Sequence, residues 1–171
     1  FVFGLLASAP SHAGVHLPAY TRQVLPNGAT LCLIPHHDVP MTSIRVLLKG
    51  GSESQPAGLS GLASVTAALI RKGTVHRSAN EFAREIDSLG AGFYGDSDDQ
   101  STYISVDFLT KDLNSALDLL VEAITSPTFP QSEVDKMLAR RVEGAKSLKD
   151  SPESVAFLYY RSLLFGPAHP Y

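Results

Sequence analysis

The sequence is poor in the residues that would make its chemistry easy to name. It has one cysteine, Cys32, among 171 residues, which excludes an internal disulfide and any zinc site built on thiolates. Because Cys32 lies in the apolar run Ala29-Thr30-Leu31-Cys32-Leu33-Ile34, it is expected as a core thiol. There is no excess of one charge either: 14 basic against 17 acidic side chains leave a formal net charge of −3. Nucleic acid and anionic membranes therefore find no electrostatic hold. No repeat, low-complexity tract or internal linker stands out. What the chain does have is 44% apolar residues, enough for one ordinary domain with a proper core.

The first thirteen residues, Phe1-Val2-Phe3-Gly4-Leu5-Leu6-Ala7-Ser8-Ala9-Pro10-Ser11-His12-Ala13, join a short apolar run to an A-x-A-like arrangement of small residues. That pattern matches the back half of a secretory signal peptide, with cleavage after Ala13 and a periplasmic or secreted product. The run is too short to span a bilayer. At the other end, Leu164 to Tyr171 reads as a turn with no closing element, so a longer chain is expected.

Between these ends strands and helices alternate in groups. Asn27-Gly28 accepts the positive φ of a two-residue turn and predicts a hairpin over 23–31. A third strand follows at 43–49, and the apolar period over 57–72 predicts a helix closed by Gly73. Ser78 and Glu81 form a capping box for a second helix ending at Gly90. Two strands are expected at 92–97 and 101–109, with an acidic turn holding Asp96, Asp98 and Asp99. Leu113, Ala116, Leu117, Leu120 and Ile124 mark the stripe of a third helix; Pro127 and Pro130 break it. Ser132 is expected to cap a fourth helix reaching Lys149, and Ser151-Pro152 to open a fifth. The grouping predicts an α+β fold, a mostly antiparallel sheet with helices packed on one face.

The segment Gly61-Leu62-Ala63-Ser64-Val65-Thr66-Ala67-Ala68-Leu69-Ile70-Arg71-Lys72-Gly73-Thr74 resembles the motif helix of the insulinase, pitrilysin and mitochondrial processing peptidase superfamily. Leu89-Gly90-Ala91, the Leu-Asp-Leu-Leu helix, Pro127-Thr128-Phe129 and Asp150-Ser151-Pro152-Glu153 follow in that family's order. Active members carry Gly-x-Ala-His-x-x-Glu-His, whose two histidines at i and i+4 hold zinc while the Glu activates its water. The resemblance places Ser64 and Ala68 at the histidine positions and Ala67 at the base. A hydroxyl and two methyl groups cannot do that chemistry, so no catalytic residue, metal site or cofactor is expected in this chain. The family's third ligand falls on Glu143, 75 residues after Ala68. One carboxylate alone cannot build the site, and Arg71 is a candidate to pair with it in the metal's electrostatic place.

Other candidates are weaker. Adjacent His36 and His37 would point to opposite faces of a strand and fit a surface loop. His76 follows a helix end, where it can meet terminal carbonyls. The Asp96, Asp98 and Asp99 cluster lacks the Gly and Glu of a calcium loop. Ser64 has no histidine in helical reach to activate it as a nucleophile.

In active relatives an extended substrate adds to the strand matching Gly92-Phe93-Tyr94-Gly95-Asp96-Ser97. Phe93, Tyr94 and Gly95 are thus the implied peptide-binding residues. The resemblance implies residues 14–171 as an N-terminal peptidase-like lobe after the 1–13 leader. It further implies a non-catalytic subunit whose homologous zinc-bearing partner closes a chamber around a peptide or protein substrate. A purely structural scaffold and half of an enzyme with its zinc motif elsewhere remain open.

Overall fold

A computed structural model describes residues 18–166. The leader expected over 1–13 lies outside the described residues. Two units are distinguished, one reaching Val39 and one starting at Pro40.

In the first unit, β1 (Thr21–Val24) and β2 (Thr30–Leu33) pair antiparallel, Thr21 opposite Leu33 and Val24 opposite Thr30. The predicted hairpin forms, but its turn is wider than the two residues expected: Leu25 N–H donates to the Ala29 carbonyl and Gly28 N–H to that of Leu25, so Pro26, Asn27 and Gly28 make the loop and Gly28 alone takes a positive φ, 83°. Asn27 Oδ1 accepts the Ala29 N–H at 3.0 Å. Every strand residue is exposed, Cys32 included, which corrects the expectation of a core thiol. Two strands make a single ladder with two open faces, so an apolar run there gains no covering layer from its own hairpin. His36 and His37 lie in the loop that follows, His36 beside Asp38 at 3.5 Å.

The second unit runs β3 (Met41–Lys49), α1 (Leu62–Leu69), α2 (Ala79–Ser88), β4 (Gly92–Ser97), β5 (Ser101–Leu109), α3 (Leu113–Thr125), α4 (Gln131–Ser147) and α5 (Pro152–Phe165). Its sheet has the order β3-β5-β4 and is antiparallel throughout, Val106 facing Ile44 on one side and Phe93 on the other. Thus β5 is central and β4 an edge. Period-two alternation sends Ile104, Val106 and Phe108 into the core. There they meet Phe82 and Ile86 of α2, Phe93 of β4 and Ala116, Leu119, Leu120 and Ala123 of α3. Phe82 and Phe93 pack edge to face, centroids 5.5 Å apart. The α+β architecture is the one expected.

Several boundaries differ from expectation for local reasons. α1 is confined to eight residues because Gly61, in the left-handed region at φ 90°, starts it. The buried face of α3 is rotated from the predicted stripe, Leu119 and Ala123 lying inside while Leu113 and Leu117 are exposed. α4 begins behind Pro130 rather than at Ser132, since the fixed φ of proline suits a helix entrance. The capping box forms as predicted: Ser78 N–H donates to the Glu81 carboxylate at 2.8 Å, and Glu81 N–H to Ser78 Oγ at 3.3 Å. Ser151 Oγ likewise accepts the Ser154 N–H at the start of α5.

Two contacts set where α1 lies. A Cβ on Gly95 would stand 2.3 Å from the Ala67 carbonyl oxygen, so only glycine lets α1 sit this low over β4. Past the helix end, Gly73 (φ 134°) leaves room for Pro130, whose Cγ would be 2.8 Å from a Cβ there. Beside it, buried Thr74 and Arg77 both donate to Glu122 of α3, and Arg77 Nε lies 2.8 Å from Glu85 of α2. This cluster ties the connection between α1 and α2 to α2 and α3.

Gly95→Ala should lower the free energy of unfolding by about 1–3 kcal/mol, since both clashing groups are backbone; urea melts that leave it unchanged would show α1 free to rise. Glu122→Ala should cost about 1–3 kcal/mol by removing the carboxylate that Thr74 and Arg77 share, the guanidinium keeping Glu85. Thermal melts of that variant and of Glu122→Gln, expected to fall between it and the parent, provide the check.

Candidate functional site

The motif face of α1 looks onto the end of β4. Ala67 is buried to 2% exposure, while Ser64 and Ala68 are half-buried. Ser64 Oγ donates to Asp96 Oδ1 at 2.7 Å and accepts from Arg141 Nη2 of α4 at 2.7 Å. Tyr94 OH donates to Asp96 Oδ2 at 2.9 Å, and Ser97 N–H to Oδ1 at 2.8 Å. A line of polar groups, Arg141, Ser64, Asp96 and Tyr94, therefore joins α4, α1 and β4. A cleft of about 130 Å³ beside it is lined by Gln55, Gly61, Ser64 and Ser97 among others.

Electrostatics hold this line in one protonation state. Burial acts to raise the Asp96 carboxyl, but the hydrogen bonds from Ser64, Ser97 and Tyr94 and the charge of Arg141 outweigh it and hold the group below the ordinary aspartate range. The bond Tyr94 donates to Asp96, together with that carboxylate's charge, pushes the phenol above its usual value. Asp96 is thus an anion and Tyr94 a donor at neutral pH.

These residues do not fit zinc. At the positions that the resemblance implies for the imidazoles and the base stand Ser64, Ala68 and buried Ala67, none of which offers a zinc ligand, and the guanidinium of Arg141 is bonded to Ser64. Among the described residues no group of three His, Cys, Asp or Glu side chains could hold a metal ion. Glu143 is exposed and bonded to Lys146 at 2.8 Å, one turn along its own helix. The suggested Arg71–Glu143 pair is accordingly corrected: the cation that reaches the motif face is Arg141. Two residues along a helix turn the direction by about 200°, so with Arg141 facing α1, Glu143 faces away.

The three residues expected to bind peptide have different surroundings. Phe93 is in the core, Gly95 lies under α1, and Tyr94 is 51% exposed with its ring 6.1 Å from that of Tyr103. Asp98 and Asp99 organise the turn as anticipated: Asp98 accepts from the N–H groups of Gln100 and Ser101, and Asp99 from Ser52 Oγ. Sequence reading assigned Asp96 to that turn and passed over Arg141. The one available signal was Arg141's nearness to the third-ligand interval.

The family model of the insulinases, peptidase family M16, matches residues 32–161. The chain belongs to that family. Among M16 relatives, an uncharacterized zinc protease of Rickettsia bellii (strain RML369-C) is 24% identical over 141 residues, covering 82% of this chain and 34% of that protein. The non-peptidase homolog YmxG of Helicobacter pylori (strain ATCC 700392 / 26695) is 25% identical over 155 residues, covering 90% and 36%. The chain thus spans about a third of the length of these relatives. A crystal structure described as the peptidase M16 inactive domain from Pseudomonas fluorescens has the same fold, with a TM-score of 0.82, 24% identity and coverage of 90% of this chain and 37% of that one. Among the described residues, no helix is long and apolar enough to cross a membrane.

Asp96→Ala should lower stability at pH 7 by about 1–3 kcal/mol through loss of charge-assisted hydrogen bonds. A carboxyl with a lowered pKa stabilises the fold above its unfolded-state value and loses that contribution as pH falls through its folded-state value. The difference between parent and variant should therefore shrink below about pH 4; urea melts showing a pH-independent difference would remove Asp96 as the titrating group.

Proposed function

We propose that this chain is a non-catalytic, peptide-binding lobe of a periplasmic or secreted peptidase-like assembly, and that a homologous zinc-bearing partner supplies the metal and the base. One observation carries the reading. The motif face carries Ser64, Ala67 and Ala68, with Ser64 bridging Asp96 and Arg141, while the strand beside it, β4, keeps a sheet edge with β5 as its sole strand neighbour among the described residues.

An edge strand presents unpaired backbone groups to which an extended peptide can add as a further strand. Exposed Tyr94 gives that edge an aromatic surface. With Asp96 bonded to Ser64 and Tyr94, the motif face holds the end of β4 firmly without any metal. The names of two similar proteins, a non-peptidase homolog and an inactive domain, support a binding rather than a hydrolytic role.

Co-purification with a zinc-bearing homologue and assay on a quenched extended peptide test the reading. Turnover is expected only when both chains are present. A stable complex whose turnover is the same with this chain removed would favour a scaffold, and turnover by this chain alone would overturn the proposal.

A further inference from the structure

The basic side chains of this net-acidic chain are unevenly placed. α1 and α4 run antiparallel: Arg141 bonds Ser64 near the start of α1, whereas Pro130, at the entrance to α4, stands against Gly73 just past the other end. Arg71 and Lys72 consequently lie toward the entrance of α4, on which Lys136 and Arg140 are one turn apart. Their proximity is felt at Lys72. Burial, then the charge of Arg71, with Arg140 and Lys136 behind, pushes its ammonium below the ordinary lysine range against the pull of Glu133.

With Arg141 these make five of the 14 basic residues, two just past the end of α1 and three on α4, in a chain of net charge −3. The carboxylates among them are engaged: Glu133 with Lys136 at 2.6 Å, Asp135 with the Gln131 amide at 2.8 Å, Glu143 with Lys146 at 2.8 Å, and Asp96 with Ser64 and Tyr94. Among the described residues Arg71, Lys72 and Arg140 have no ion-pair partner within 4.0 Å. Like charges held this close repel one another in the unliganded chain, and an arriving anion relieves that repulsion as well as gaining its own pairs.

We propose that this ridge, formed by Arg71, Lys72, Lys136, Arg140 and Arg141, binds an acidic segment of the polypeptide whose extended part adds to β4. The inference rests on the peptide-binding reading above and gives it a substrate class. Arg141 joins the two regions, since its guanidinium is bonded to Ser64, which in turn holds Asp96 at the end of β4. Guanidinium groups suit carboxylates because their planar donors pair with both oxygens at once. The attraction acts at long range and weakens with salt.

Three labelled peptides of equal length, alternating the same apolar residues with Glu, Gln or Lys, provide the test by fluorescence anisotropy on the full chain. The Glu peptide is expected to bind at least about tenfold tighter than the Gln peptide at low salt. Lys136→Glu with Arg140→Glu should abolish that preference while leaving the Gln peptide within about twofold. The neutral pair Lys136→Gln and Arg140→Gln, with melting curves of both variants, separates lost charge from lost folding. Equal binding of Glu and Gln peptides would overturn the ridge and leave the β4 edge standing. Failure of all three peptides to bind would overturn the edge reading, and the ridge with it.

Discussion

The site exists because α1 comes down onto β4 with nothing between the Ala67 carbonyl and the backbone of Gly95. That approach brings Ser64 within hydrogen-bond reach of Asp96, and it places the helix end where Gly73 can meet Pro130 and α4 can run back alongside. A side chain at position 95 would lift the helix by more than a hydrogen bond tolerates. The polar line from α4 to β4 would then part at its middle. Packing density, here as in any close interior contact, is what gives the polar geometry its accuracy.

The replacement of the metal motif is coherent rather than simply a loss. An M16 motif face stripped of its imidazoles and carboxylate would leave the cavity beside β4 without polar partners. Here a hydroxyl, a carboxylate and a guanidinium fill it, each satisfying the next. Opposite charges bridged by a neutral donor–acceptor keep Asp96 ionised despite its burial. The geometry stiffens three elements at once and leaves the open edge of β4 in place.

Much of the fold was legible. The Ser78 and Glu81 capping box, the inward alternation of Ile104, Val106 and Phe108 and the Ser151-Pro152 helix start all depend on neighbours within a few residues, and each formed as read. The hairpin at Asn27-Gly28 formed too, with a turn one residue wider than expected because Gly28 alone takes a positive φ. Readings that depended on what lay across space fared differently. Cys32 sits in an apolar run yet is exposed, and the inward stripe of α3 is turned toward Leu119 and Ala123. An apolar pattern says that a segment can be buried; it does not say which layer covers it.

The same division runs through the site. Sequence by itself determined that Ser64, Ala67 and Ala68 share one helix, where the resemblance implies the motif's histidines and glutamate, because residues three and four apart lie on one helix face. Only the tertiary structure decided which charge occupies the vacated place. Arg71 and Glu143 were the candidates in prospect, but α4 packs with Arg141 toward α1 and Glu143 turned away to Lys146. Helical phase between two elements far apart in the chain is fixed by packing, and no local pattern of residues encodes it.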